Sequence, residues 1–103
     1  MMDTMRPYVY KHSDSSIKHR RFIDEPIGNK DVTAVSGITH VLGARLKSAG
    51  YGSAYALLGQ YVMFNRDTVC FQEWLRKMCG ANIKERNNCY RCLNDWYMKN
   101  VAH

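Results

Sequence analysis

Along the chain, hydrophobic positions cluster in short runs spaced three and four apart, and polar breaks rich in Gly, Ser, Asn and Pro separate them. That period belongs to helices, and no segment alternates as a strand would. The pattern predicts an all-α, compact domain of five or six helices over 15–103, preceded by a polar, flexible extension over 1–14. A helix runs from Ser13 toward Pro26, which stops it. Phe22 and Ile23 face its core side, and Ile17, Arg21 and Glu25 share another side. Gly28-Asn29-Lys30 makes a turn, and Asp31 caps a short apolar helix over Val32–Val35. After Ser36-Gly37-Ile38-Thr39 a second helix carries Val41, Leu42, Leu46 and Ala49 on one apolar face and stops at Gly50. Ser53 caps a segment over Ala54–Phe64 that is apolar nearly all round, so burial on more than one side is expected. Gly59 inside it invites a close backbone approach. A helix over Val69–Met78, striped by Phe71, Trp74, Leu75 and Met78, closes at Cys79-Gly80. Asn82–Asn88 reads as a polar link, and a last helix extends from Cys89 to about Asn100.

Two short helices around Ser36-Gly37-Ile38-Thr39 form the pattern of a helix-hairpin-helix. Such a turn offers backbone N–H groups and the positive end of its second helix to a phosphate. Gly37 would let a nucleic-acid backbone come close, and Ile38 would plug the turn into the core. Contact through backbone alone gives little sequence preference. An ordinary helical corner, with Gly37 serving only tight packing, accounts for the same residues.

Composition narrows the function classes. With 103 residues and 46% apolar content, the chain builds one small core, for which oligomerisation is a common remedy. The net charge of +6 suits an anionic partner, nucleic acid before membrane, and equally a solvated basic surface. No apolar run is long enough to span a membrane and the first residues lack a signal-peptide core, so a cytosolic or nuclear home with four reduced cysteines is expected. Lys18-His19-Arg20-Arg21 follows Ser15 and Ser16. This reads as a phosphate-contacting helix start whose phosphorylation would repel nucleic acid, or as a solvated face.

Chemistry is otherwise sparse. Cys89-x-x-Cys92 lacks a second pair at zinc spacing and lies on an amphipathic helix, so buried thiols are expected in place of a metal site. The four histidines are scattered, and no nucleophile–base pair or nucleotide loop is visible. The expectation is a non-enzyme with no cofactor.

Several ordered motifs resemble the barrier-to-autointegration factor family. They are Lys18-His-Arg-Arg-Phe-Ile-Asp-Glu-Pro-Ile-Gly-Asn-Lys, Gly37-Ile, Leu58-Gly-Gln-Tyr, Phe71-Gln-Glu-Trp-Leu, Cys79-Gly-Ala-Asn and Cys89-Tyr-Arg-Cys-Leu-Asn-Asp-Trp. The resemblance runs from about Ser13 to Trp96 without a gap. It implies a symmetric helical dimer that binds and bridges double-stranded DNA without sequence preference, in the nucleus at chromatin and the nuclear envelope, and also in the cytoplasm. It further implies LEM-domain proteins, lamins and histones as partners, and release of DNA on phosphorylation at the positions of Ser15 and Ser16. Carried over by position, Lys18, Arg20, Gly37, Ile38, Thr39, Val41 and Lys84, with Arg86 and Asn87, form the implied DNA surface. Tyr55, Gly59, Gln60, Met63, Trp74 and Cys92 fall in the implied dimer and partner interface.

Departures from the family pattern point to a divergent paralogue. Thr39 replaces a second turn glycine, and Asn87 replaces a DNA-contacting arginine. Met63, Asn65 and Cys70 replace the usual valine, lysine and leucine of the partner groove. The alternative function is therefore a paralogue that no longer binds DNA and acts as a protein–protein module, heterodimerising with a DNA-binding relative.

Overall fold

The computed structural model describes the backbone of residues 13–102 and the side chains of residues 17–102. The expected extension lies outside the described residues up to His12, as does His103. Five helices and one 3-10 turn make the fold, and no strand occurs among the described residues. They are α1 (Ser13–Asp24), the 3-10 turn (Val32–Ala34), α2 (His40–Ser48), α3 (Ala54–Met63), α4 (Thr68–Cys79) and α5 (Ile83–Asn100).

Local chemistry fixes the starts of the 3-10 turn and of α2 to α5. Asp31, Thr39, Ser53, Asp67 and Asn82 each accept a backbone N–H of the turn they open. The hairpin's first arm is one 3-10 turn where four residues of helix were expected. The largest correction concerns α5. Asn82–Asn88 is no link: Asn82 and Glu85 form a reciprocal capping box, and the helix begins at Ile83. The polar run is the solvent face of its first turns, and burial begins in earnest at Cys89.

The core gathers Phe22 of α1, Val32, Val35 and Ile38 of the hairpin, Leu42 and Leu46 of α2, Leu57 and Tyr61 of α3, Phe71 and Leu75 of α4, and Leu93 of α5. Tyr61 is its aromatic hub, edge-on to Phe71, Tyr90 and Tyr97, with its hydroxyl 2.7 Å from Asn94 Oδ1. On α2 the buried face is Leu42, Gly43 and Leu46, whereas Val41 and Ala49 are exposed, because the helix turns the 42/43/46 side to the core. The apolar α3 is buried on one face, through Ala54, Leu57 and Tyr61. Tyr55, Gly59, Val62 and Met63 stay exposed on the other, Met63 at 76%.

α1 is fastened to α5 along its length. His19 Nε2 lies 2.8 Å from Asp95 Oδ2, Lys99 Nζ donates to Asp24 at 2.7 Å, and Trp96 Nε1 donates to the Glu25 carbonyl at 3.1 Å. The hairpin is pinned to the start of α3 by Val32 N to Gly52 O and Ala54 N to Lys30 O.

Candidate nucleic-acid interface

The turn between Val35 and His40 is built from backbone outward. Ile38 N donates to Val35 O at 3.1 Å, and the Ile38 side chain is fully buried, which seats the turn on the core. Gly37 has φ +87°. A Cβ there would meet Glu85 O at 2.4 Å and Cys89 N at 3.0 Å. The Cβ side of Gly37 therefore faces the backbone of α5, while the residue itself is half-exposed and lines the hollow described next. Thr39 has φ −77° and ψ 175°, an extended conformation open to any residue, so no glycine is needed there. Its hydroxyl accepts Leu42 N at 3.3 Å and caps α2.

Lys18 enters from α1. Its Nζ donates to the Ile38 carbonyl at 3.0 Å, tying the turn to α1. Burial pushes this ammonium below the ordinary lysine value, and the thiols of Cys92 and Cys89 act the other way. Beside it a concavity of about 380 Å³ is lined by Lys18, Gly37, Thr39, Asn82, Lys84, Glu85 and Asn88. Thr39 and Asn82 are the N-caps of α2 and α5, so two helix N-termini open on the same hollow. Their dipoles and first-turn amides favour an anion. The Glu85 carboxylate is engaged at 2.7 Å by the Asn82 N–H. The hollow is thus lined by two lysines, and its one carboxylate, Glu85, is committed.

Not every expected residue joins it. Val41 is 55% exposed on the first turn of α2, and Arg20 is exposed on α1; neither lines the hollow. Arg86 turns back to donate to Ala81 O at 2.8 Å and lines a separate hollow with Thr68, Val69, Gln72 and Glu73. Asn87 Oδ1 accepts from Gln72 Nε2 at 3.0 Å, which spends it on the α4–α5 contact. Asn82, Glu85 and Asn88 line the hollow although the sequence pattern, which presents the start of α5 as a link, gives them no role. The signal was present in Asn82-x-x-Glu85, a capping-box spacing.

The expected interface residues divide. Tyr55, Gly59 and Met63 lie on the exposed face of α3, and a Cβ on Gly59 would meet nothing within 4 Å. Among the described residues nothing approaches Gly59 closely. Gln60 is half-buried, 3.4 Å from the Tyr51 hydroxyl. Trp74 is half-buried among Tyr51, Phe64 and Phe71. Cys92 is a correction: it is fully enclosed in the core, because α5 turns it toward the hairpin, and no partner reaches it. Ser15 and Ser16 sit in the first turns of α1, and their side chains lie outside the described residues.

Among the described residues no three His, Cys, Asp or Glu side chains are gathered as a metal site requires. No helix among them is long and apolar enough to cross a membrane.

Comparison with known proteins gives a consistent result. A family model described as barrier to autointegration factor matches residues 13–100. A relative from Drosophila melanogaster named barrier-to-autointegration factor is 49% identical over 84 residues, 82% of this chain and 93% of the relative. Relatives of that name from Danio rerio and Homo sapiens are 46% and 44% identical, covering 82% and 80% of this chain and 93% and 92% of their own lengths.

Proposed function

The chain belongs to the barrier-to-autointegration factor family, and from that premise we propose that it binds double-stranded DNA without sequence preference, as a dimer that bridges two duplexes. The observation that carries the reading is the shared hollow at the N-termini of α2 and α5, with Lys18 and Lys84 at its wall. Amides and ammonium groups of this kind recognise phosphate, which every sequence presents alike. Thr39 fits the reading, since its hydroxyl is turned to the Leu42 amide and its extended backbone needs no glycine.

Dimerisation is proposed through the exposed face of α3. Tyr55, Gly59, Val62 and Met63 recur at i, i+4, i+7 and i+8, and a glycine in the middle admits a second backbone. The same face suits a DNA-binding relative, which keeps heterodimerisation as the second reading. A nuclear, chromatin-associated home, with LEM-domain proteins, lamins and histones as partners, belongs to the same proposal, as does DNA release on phosphorylation of Ser15 and Ser16. None of this requires catalysis.

The test is a capture assay. An immobilised duplex is loaded with protein and offered a second, labelled duplex of unrelated sequence. Bridging predicts retention of the label. Binding of the first duplex without retention of the second removes bridging, and no binding to either removes the DNA reading in favour of the protein–protein module.

A further inference from the structure

The solvent face of α5 continues past the hollow. Lys84 and Arg91 are seven residues apart, which is about two turns less 20° and roughly 10.5 Å along the axis, so they share one stripe. Asn88, which lines the hollow, stands between them. Arg91 is exposed and has no hydrogen-bond or ion-pair partner among the described residues. Its natural helical partner, Asp95 at i+4, is held by His19 on α1. Glu85 is held by the capping box. Between Lys84 and Arg91 the exposed or half-buried positions beyond Glu85 carry Arg86, Asn87, Asn88 and Tyr90, with no further carboxylate.

Among the described residues Arg21 pairs with Glu25, Arg45 with Cys79 O, Arg76 with Glu73 and Arg86 with Ala81 O, and Arg66 lies over Tyr97; Arg20, exposed on α1, shares the uncommitted state of Arg91 but stands off the α5 stripe. We infer that Arg91 is a second phosphate-contacting station, extending the DNA seat from the hollow along α5. The inference rests on the DNA-binding reading above. A stripe of two cations about 10 Å apart suits phosphates about three steps apart on a duplex strand, whose charges recur every ~3.4 Å along the axis.

The experiment compares wild type, Arg91→Gln, Arg91→Lys and Lys77→Gln on one duplex across a salt series. Lys77→Gln removes the same charge from α4. Arg91→Gln is expected to bind about five- to tenfold more weakly near 0.1 M salt, with the log–log salt slope smaller by about one. Arg91→Lys keeps the slope, and Lys77→Gln leaves it unchanged. Wild-type affinity and slope in Arg91→Gln overturn the inference while the DNA reading stands. Equal losses in Arg91→Gln and Lys77→Gln overturn it as well, in favour of net charge alone. No binding by wild type overturns the DNA reading and this inference with it.

Discussion

A Cβ on Gly37 would stand 2.4 Å from the backbone oxygen of Glu85, so the hairpin turn and the first turn of α5 are fitted to each other. The same contact sets the distance between the two helix N-termini that share the hollow. Gly37→Ala adds a clash with backbone at φ +87°. It is expected to lower stability by about 2–4 kcal/mol, combining left-handed strain with overpacking. Urea unfolding checks this, and a loss below ~0.5 kcal/mol would mean the turn relaxes freely. Any loss of DNA binding in a Gly37 variant therefore has to be read beside its stability.

Lys18 has a structural duty beside any contact with phosphate. Its ammonium holds the Ile38 carbonyl at 3.0 Å, and Lys18→Met leaves that acceptor without its charged donor. A destabilisation of roughly 1.5–3 kcal/mol is expected. Lys84→Met removes an exposed ammonium with no such bond and should cost less than ~0.5 kcal/mol. Equal stability of the two variants would show that the Lys18 bond contributes nothing.

Acid should loosen the fold from the carboxylates inward. The Lys47 ammonium and the Thr33 donors hold Asp31 far below the ordinary carboxylate range. Lys99 lowers Asp24, Lys30 lowers Glu25, the Cys70 N–H lowers Asp67, and Arg76 lowers Glu73. Each folded value lies below the unfolded one. Their contribution is therefore complete above about pH 4.5 and is lost as pH falls through the folded values, with Asp31 last. The urea midpoint should be level from pH 7 to 5 and fall below ~4.5. A midpoint that holds to pH 2 would contradict this.

The thiols should react unequally. Cys70 is exposed, whereas Cys79, Cys89 and Cys92 are buried. Burial raises Cys92 to about 11 and Cys89 well above its ordinary value. Asp67 raises the exposed Cys70 as well, so even that thiol should be slower than a free cysteine. Ellman titration at pH 8 is expected to find one reactive thiol in the native protein and four in denaturant. Rapid native reaction of Cys92 would show that α5 opens from the hairpin.

Much of the fold is legible in the chain. The 3.6-residue period places α1 through α4 within a residue or two, helped by the capping side chains of Thr39, Ser53 and Asp67 at the starts of α2, α3 and α4. The beginning of α5 escapes, because its first turns are polar throughout and only the spacing of Asn82 and Glu85 marks the cap. The site is less legible for a related reason. Sequence locates Gly37 and Lys18, but what each touches depends on α5 lying against the turn, with Glu85 far along the chain from Gly37. Cys92 and Arg86 differ from expectation on the same ground: which side of α5 faces the hairpin is decided by tertiary packing. On α3 an all-round apolar pattern signals burial, and the monomer covers one side of it.

The most direct test is the salt dependence of duplex binding by wild type and Lys84→Gln on two unrelated sequences. Phosphate recognition at the shared hollow predicts equal affinity for both sequences, a steep fall with salt, and a slope smaller by about one in the variant. Preference for one sequence, or a variant indistinguishable from wild type, would contradict it.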